Sequence, residues 1–294
     1  MDDPPGGRAL SASGQPASGD TAGRVPPIPA GLDATLVLLR HGESEFILEG
    51  RFQGQAETPL SAAGRRQAEL AGARLATPHQ SPSLPVPTGA PLEIVHSPLQ
   101  RAAQTAEAVA SAMAQPVAFG RAVPRRPDHG FIEIGQGAWE GLHHTEIQER
   151  YRDQLATWRR EPLAAWAPGG ESLPEVAARV GPGLEALLAP LARAGVPGTL
   201  DRPQVAGYRD PTPEHPWSVL VAHDGVFKVV LLTLFGLPLD RFWMWMSDLC
   251  GITVIEFRGG RAVLRAHNLT EHLAPILDER AQQLSEQRQR TGAL

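Results

Sequence analysis

The chain contains one cysteine, Cys250, and no apolar run that approaches the length of a membrane span. A single thiol excludes both an internal disulfide framework and a cysteine-based zinc cluster, so we expect Cys250 to be a small buried hydrophobe. The short apolar runs exclude a transmembrane helix, and the first 32 residues lack the apolar segment of a secretory signal. These shortages predict a soluble, cytoplasmic protein without membrane contacts.

Positive charge is scarce as well, because the formal net charge is −5 and Lys228 is the only lysine. A chain with this balance does not favour general binding to nucleic acids or to membrane surfaces. Any site for an anionic ligand must therefore be a local cluster of positive charge, and arginine has to supply it. The excess of arginine over lysine has no functional weight of its own, because a codon bias would produce it equally well.

The chain is nevertheless 294 residues long and 42% hydrophobic, which is enough for a sizeable core in one large domain or two small ones. Residues 1–32 are rich in Pro, Gly, Ser and Ala and predict a disordered tail, because they cannot bury enough surface to offset their ordering entropy. We interpret 77–91 and 194–216 as surface insertions and 276–294 as a polar C-terminal helix or tail. One folded domain then covers 33–275.

The most informative stretch is a short apolar strand, Thr35–Leu39, that runs directly into Arg40, His41 and Gly42. Its apolar sequence is typical of a strand with helices on both faces, and ligands bind at the carboxyl end of such strands. Arginine can bind a phosphate or carboxylate through several donors. A lone histidine after a strand is more often a hydrogen-bonded core or loop residue than a catalyst, but the adjacent arginine and glycine favour a catalyst here.

Three further candidates follow later in the chain. A second apolar strand, Ser218–Ala222, runs into His223, with a glycine two residues on. A third strand, Leu92–His96, precedes a helix whose first turn contains Arg101. The helix dipole disfavours a cation there unless the cation and the helix start share an anion, so a solvated side chain is the alternative for Arg101 alone. A glycine-rich loop then presents Glu133 to the sheet.

Local signals place the elements between these strands. Ser61 is the predicted N-cap of one helix, and Ser97 is the predicted N-cap of the helix that contains Arg101. The segment 43–58 is predicted to be a loop. Gly259-Gly260 predicts the turn of a late hairpin.

The histidines, the arginines and the glutamate form a set that suits phosphoryl transfer. A phosphoryl group spreads negative charge over its equatorial oxygens, so catalysis needs fixed positive donors and an in-line nucleophile. A neutral imidazole can be that nucleophile, and a carboxylic acid can protonate the leaving oxygen. This chemistry requires no cofactor and no metal. The adjacent His143 and His144 predict no metal site, because neighbours on a helix do not share a face.

Seven motifs, taken in order, resemble the histidine phosphatase superfamily in its phosphoglycerate-mutase-like branch. They cover most of residues 35–273, and the ordered series is much more specific than Arg-His-Gly alone. The motifs are LRHGES (39–44), EGRFQGQAETPLSAAGRRQA (49–68), HSPLQRAAQTA (96–106), EIGQGAWEG (133–141), PGGES (168–172), VAHDGV (221–226) and HNLTEHL (267–273).

The resemblance implies an α/β fold, namely a three-layer α/β/α sandwich with a mostly parallel central sheet. It also implies that His41 is the nucleophile that becomes phosphorylated and that Glu133 is the proton donor. Arg40, Arg101 and His223 are then both catalytic and substrate-binding, because they surround the phosphoryl group.

The chain departs from the family pattern at two places. Phe46 and Ile47 stand where the family commonly has Trp-Asn, and that asparagine contributes to phosphate binding. Either this contact is missing or Gln53 or another neighbour supplies it, and we add Gln53 and Gly54 to the substrate-binding candidates. Asp224 stands where glycine is frequent. Either its negative charge raises the pKa of a nearby histidine, or its side chain points outward, away from the site.

The short GAWEG segment and the PGGES turn resemble phosphatase-type members more than glycolytic mutases. We therefore expect a metal-independent phosphomonoesterase that hydrolyses a small organic phosphate through a phosphohistidine on His41. The alternatives are a phosphoglycerate mutase-type phosphoryl transfer, which must exclude water, and a non-catalytic protein that binds a phospho-ligand on the same fold. A small phosphorylated metabolite is the expected partner. A homodimer through an edge strand is the oligomer that analogy suggests.

Overall fold

The computed structural model describes residues 27–195, 215–276 and 279. The predicted tail at 1–32, the insertion at 194–216 and the segment at 276–294 therefore lie mostly outside the described residues. The tail prediction is wrong at its end, because Leu32 is buried in a core cluster and Ile28 packs against that cluster. Within the described part, no helix is both long enough and apolar enough to cross a membrane.

The described strands form one six-stranded sheet. In chain order they are β1 (Ala34–Arg40), β2 (Ile94–His96), β3 (Arg125–Pro127), β4 (Trp217–Ala222), β5 (Ile252–Arg258) and β6 (Arg261–Leu269). Their order across the sheet is β3-β2-β4-β1-β5-β6. The first four are parallel neighbours, whereas β5 pairs antiparallel with β1 and with β6. The prediction of an α/β fold with a mostly parallel sheet is confirmed.

Helices cover both faces of this sheet. They are α1 (Glu45–Leu48), α2 (Ala62–Ala76), α3 (Gln100–Met113), α4 (His144–Arg150), α5 (Arg152–Arg160), α6 (Leu173–Ala194) and α7 (Asp224–Leu234). Short 3₁₀ helices are His129–Phe131, Gly137–Trp139, Leu239–Met244 and Glu271–Leu273. One core cluster lies between the sheet and α6 and α7, and a second lies between the sheet and α2 and α3. The result is the three-layer sandwich.

The central strand β1 shows why its sequence is so uniformly apolar. Leu36 and Leu38 belong to the first core cluster, whereas Val37 and Leu39 belong to the second. Successive side chains of a strand point to opposite faces, and both faces of β1 are covered. None of the side chains in the middle of β1 can therefore reach solvent, and the strand does not alternate apolar with polar residues.

Local predictions had mixed outcomes. Ser61 is the N-cap of α2, as predicted, and its hydroxyl accepts from the backbone of the first turn. The short helix α1 interrupts the predicted loop at 43–58. The prediction for Ser97 was wrong, because α3 begins at Gln100 and has Leu99 at its N-cap position. The Ser97 hydroxyl instead accepts from the Leu99 N–H at 3.3 Å, outside the helix.

A third and smaller core cluster lies away from the sheet, next to α4 and α5. Trp139 is at its centre, with ring centroids 5.9 Å from those of Phe52 and Trp158. Trp158 in turn contacts Trp243, with ring centroids 4.8 Å apart. Aromatic packing therefore joins α5 to the 3₁₀ helix after α7. We call residues 144–168 and 239–246 the outer wall.

Candidate active site

The carboxyl ends of β1 and β4 bring two histidines together. The strands pair in parallel with Arg40 opposite Ala222, and the His41 N–H donates to the Ala222 carbonyl at 3.0 Å. Each strand is followed directly by a histidine, and the ring centroids of His41 and His223 lie 5.0 Å apart. Both rings are buried. The register of two parallel strands thus sets the spacing of the pair.

The ring of His41 has one nitrogen with a free lone pair. Its Nδ1 lies 2.6 Å from the Gly42 carbonyl oxygen. A carbonyl only accepts, so Nδ1 carries the proton and Nε2 keeps its lone pair. Burial, followed by the charges of Arg101 and Arg40, holds the pKa of His41 well below its ordinary value of 6.5. The imidazole is therefore neutral near pH 7, as a nitrogen nucleophile must be.

The ring of His223 is held by the end of a neighbouring strand. Its Nε2 lies 2.7 Å from the hydroxyl of Ser97, the residue that follows β2. The Ser97 hydroxyl donates to Nε2 in the tautomer that carries its ring proton on Nδ1, and it accepts from Nε2 in the other tautomer. Burial and then the charge of Arg101 hold the pKa of His223 well below 6.5.

Arg101 is fully buried in the first turn of α3, so the solvated alternative is wrong. Its Nη1 and Nη2 donate to the carbonyls of Ala56 and Gly54 at 3.0 and 2.8 Å. Burial lowers the pKa of Arg101 to about 10, and the charge of Glu133 opposes that shift. The guanidinium is still charged at neutral pH, and the loop after α1 fixes its orientation.

Three buried nitrogens of the site have no hydrogen-bond partner among the described residues. They are Arg40 Nε, Arg101 Nε and His223 Nδ1. Buried polar groups are nearly always paired, and an unmade hydrogen bond costs about 1–3 kcal/mol. Two unpaired guanidinium N–H groups and an unpaired imidazole nitrogen beside the neutral ring of His41 therefore fit a binding site for an oxyanion. The charges of both arginines act on both histidine rings.

Glu133 lies beside the start of α7. Its Oε1 accepts from the Ile134 and Val226 N–H groups at 2.9 and 3.0 Å, and its Oε2 accepts from Gly225 N–H at 3.2 Å. Gly225 is two residues after His223, and the charge of Glu133 acts on Arg101, so the carboxyl group is within electrostatic reach of the site. A Cβ at Gly225 would come within 2.6 Å of Glu133 Oε1. Only glycine leaves room for the carboxyl group there.

The two remaining candidates support other groups. The Gln53 amide oxygen accepts from the Ser44 hydroxyl, so only the amide NH₂ could donate to a substrate. Gly54 has its carbonyl on Arg101, and its φ of +51° is in the left-handed region that favours glycine. Gly54 therefore orients an arginine, and its carbonyl does not face an anion.

The two departures from the family pattern have different structural outcomes. Ile47 belongs to α1, where its N–H donates to the Ser44 hydroxyl at 3.3 Å, and its side chain cannot bind an anion by hydrogen bonds. Asp224 forms an ion pair with Lys228. The pKa of His41 and of His223 is lowered, so Asp224 does not raise it above the ordinary value.

Sequence reasoning missed two supports of the site. The Thr105 hydroxyl accepts from the Gly42 N–H at 3.2 Å and donates to the Arg101 carbonyl at 2.8 Å, so it links the loop that contains His41 to α3. Gly64 packs against the backbone of Glu43, and a Cβ would collide with that carbonyl. The position of Thr105 one turn after Arg101 was the available signal, because such residues share a helix face.

Comparison with known proteins agrees with this geometry. The family model of the histidine phosphatase superfamily (branch 1) matches residues 36–195 and 205–270. The chain belongs to the histidine phosphatase superfamily. Among curated relatives, a glucosyl-3-phosphoglycerate phosphatase of Mycolicibacterium vanbaalenii is 35% identical over 225 residues, or 76% of this chain and 84% of that protein. Phosphoserine phosphatase 1 of Hydrogenobacter thermophilus is 28% identical, over 83% of this chain and 96% of that protein.

A third relative carries a different name. The protein of Salmonella choleraesuis named "Probable phosphoglycerate mutase GpmB" is 30% identical, over 82% of this chain and 96% of that protein. Among solved structures, a mycobacterial glucosyl-3-phosphoglycerate phosphatase complexed with VO3 has a TM-score of 0.62 and 30% identity, and the match covers 81% of this chain and all of that one. The prediction of a histidine phosphatase is confirmed by the family model and by the named phosphatases.

Proposed function

We propose that this histidine phosphatase is a metal-independent phosphomonoesterase that hydrolyses a small organic phosphate through a phosphohistidine on His41. The observation that carries the proposal is the neutral, buried Nε2 of His41 beside unpaired nitrogens of Arg40, Arg101 and His223. Fixed donors are what a transferring phosphoryl group needs. The two guanidinium groups supply the positive charge that a metal ion supplies in other phosphatases.

The first step forms the phosphohistidine. The donors of Arg40, Arg101 and His223 bind the phosphoryl oxygens, and His41 Nε2 attacks the phosphorus. A P–N bond forms, the P–O bond to the ester oxygen breaks, and Glu133 gives its proton to that oxygen. The Oε2 of Glu133 has the longer backbone contact and is the oxygen that we assign to proton transfer.

The second step releases phosphate. A water molecule attacks the phosphorus, the Glu133 carboxylate takes the proton of that water, and the P–N bond breaks. His41 is regenerated as the neutral imidazole, and inorganic phosphate leaves. The same carboxyl group therefore acts as acid in one step and as base in the other.

The test is the release of phosphate from p-nitrophenyl phosphate by wild type and by His41→Ala, with EDTA present in a parallel assay. We expect activity that EDTA leaves unchanged and that His41→Ala abolishes. Quenching of wild type with alkaline detergent during turnover of ³²P-labelled substrate should trap a phosphohistidine that is stable in base and loses its label in acid. His79→Ala is the matched control, because His79 lies exposed in the 77–91 segment. Undiminished hydrolysis by His41→Ala would reject the assignment.

The second candidate function is a phosphoglycerate mutase-type phosphoryl transfer, and the relative named as a probable phosphoglycerate mutase supports it. Incubation with 3-phosphoglycerate separates the two functions, because a mutase forms 2-phosphoglycerate faster than free phosphate. We expect phosphate release to dominate. Phosphoserine and glucosyl-3-phosphoglycerate belong in the same screen, since two phosphatase relatives are named for them.

We also propose that the protein acts in the cytoplasm on a small metabolite and binds neither nucleic acid nor membrane. The net charge of −5 supports this setting. A single folded domain over 33–275 and a homodimer through an edge strand complete the proposal, and sedimentation analysis tests the oligomeric state.

A further inference from the structure

Two charged residues of α7, a buried lysine and a partly exposed aspartate, form an ion pair that the proposed mechanism does not use. Lys228 Nζ and Asp224 Oδ2 are in direct contact, one helical turn apart. The Lys228 residue is 4% exposed, and it is the only lysine of the chain. A buried ammonium is costly unless it is paired, so this position needs a reason.

The second oxygen of Asp224 leads to the active site. Asp224 Oδ1 accepts from the Ser247 N–H at 3.0 Å, and the Ser247 carbonyl accepts from Arg40 Nη1 at 2.5 Å. One peptide segment therefore connects the carboxylate to a guanidinium group that we assign to phosphoryl binding. The connection leaves Arg40 Nε unpaired and buried within the described part of the chain.

Lys228 contacts the other end of the same segment. Its Nζ lies 5.3 Å from the ring centroid of Phe242 and 5.0 Å from that of Trp243, which are cation–π distances. The pair on α7 thus contacts residues 242–247 at both ends. Lys228 contacts the aromatic rings at the N-terminal end, and Asp224 accepts from the Ser247 N–H at the C-terminal end.

We propose that Asp224 is a positioning residue for Arg40, which it acts on through the main chain of Ser247. Lys228 holds the same segment and cancels the charge of the carboxylate, which would otherwise repel a phosphorylated substrate. This inference rests on the proposed function, because it assigns a partner to one of the phosphoryl-binding groups. It explains why a carboxylate can stand beside an anion site.

The decisive experiment is a double-mutant cycle with p-nitrophenyl phosphate. We expect Asp224→Ala to lower kcat/KM about tenfold in the wild-type background and to have little effect in an Arg40→Ala background. Asp224→Asn keeps an oxygen acceptor for the Ser247 N–H and should recover most of what Asp224→Ala loses. Equal losses in both backgrounds would overturn the proposal, because a general effect on folding does not depend on Arg40.

The role of Lys228 is tested by a separate set of variants. Lys228→Met leaves the Asp224 carboxylate without its counter-charge, and we expect it to raise KM more than it lowers kcat. The double variant Asp224→Asn/Lys228→Met removes both charges and should return KM towards the wild-type value. Failure of this rescue would show that the charge of Asp224 is not what Lys228 controls.

One measurement, with a control variant, keeps the inference separate from the proposed function. The dissociation constant for inorganic phosphate, from calorimetry, should rise in Asp224→Ala even if wild type proves not to hydrolyse esters. Asp240→Ala is the matched control, because Asp240 is an exposed carboxylate at the start of the outer wall's second part, paired only loosely with Arg241. A phosphate affinity that is the same in wild type and Asp224→Ala contradicts the positioning role.

Discussion

Two regions of this histidine phosphatase are built in opposite ways. One is the carboxyl end of the central strands with His41, Arg101 and His223, which we call the sheet edge, and the other is the outer wall. At the sheet edge, His41, Arg101 and His223 are buried and each is held by a hydrogen bond to backbone or to a strand-end side chain. In the outer wall, aromatic packing replaces this network, and Trp166 and Met246 are 41% and 69% exposed. The first region fixes a geometry, whereas the second offers apolar surface whose contacts can vary.

The difference suggests a division of labour. Phosphoryl transfer needs donors placed to within fractions of an ångström, and parallel strands in register provide that precision. Recognition of the remainder of a substrate tolerates a less precise geometry, and we predict that the outer wall takes this part. Substitutions at the sheet edge should therefore affect the chemical step, whereas substitutions in the wall should affect the choice of substrate.

Among variants that keep His41, the largest effect should come from Arg101→Met. This change removes a buried charge from the anion site and leaves the Gly54 and Ala56 carbonyls without their donor. We expect kcat/KM for p-nitrophenyl phosphate to fall by roughly 10²- to 10³-fold. Arg66→Ala, at an exposed arginine of α2, is the control. A loss below tenfold in Arg101→Met would remove Arg101 from the phosphoryl-binding group.

The second-largest loss of activity should come from Glu133→Gln, a variant of the residue that we propose as the proton donor. Glu133→Gln keeps the size of the side chain but cannot give up a proton as an acid. We expect kcat to fall about 10²-fold for an alkyl phosphate, whose alcohol is a poor leaving group, and much less for p-nitrophenyl phosphate. Steady-state kinetics on the two esters measure the difference. An equal loss for both esters would contradict the role of proton donor.

A third prediction uses the lowered pKa of His41. Below about pH 6.5 the unfolded chain binds a proton at His41 that the folded chain does not bind. The free energy of unfolding should therefore decrease as the pH falls from 6.5 towards the lowered pKa. His41→Asn should make this slope shallower by up to about 1.4 kcal/mol per pH unit. Denaturant titrations from pH 7.5 to pH 5 test it, and an unchanged slope would contradict the burial of a neutral ring.

The smallest effect should come from the outer wall. Trp166 is half-buried, and Trp166→Ala should lower the free energy of unfolding by only about 1 kcal/mol and change kcat for p-nitrophenyl phosphate by about twofold or less. The KM values in a screen of larger phosphate esters should change more than that. A loss of kcat as large as that of Arg101→Met would erase the contrast between the two regions.

The sheet edge was the more predictable of the two regions. Strand β1 has an apolar run because it is covered on both faces, and the abrupt change at Arg40 and His41 marks its end. The same signal marks β4 and His223. Local patterns of this kind are visible in a sequence because neighbouring residues carry them. The roles assigned to these side chains stay predictions until the variants above are measured.

The supporting contacts that distant parts of the chain make to the site residues were not predictable. Ser97 has the local signal of a helix cap, but its hydroxyl contacts His223, 126 residues later. Arg40 donates to the carbonyl of Ser247, 207 residues later in the chain, and no local sequence pattern near Ser247 predicts this contact. The outer wall has the same difficulty, because its aromatic side chains are brought together only by the completed fold.

One feature of the interior has a practical consequence for labelling chemistry. Cys250 is fully buried, and burial raises the pKa of its thiol, so maleimides and alkylating reagents should find no thiolate. Lys228 is buried as well, which withholds the only ε-amine of the chain from acylating reagents. A single cysteine introduced on the surface, for example Met246→Cys, would therefore be the sole readily reactive thiol. Fluorophores or spin labels could be attached there with no prior removal of native reactive groups.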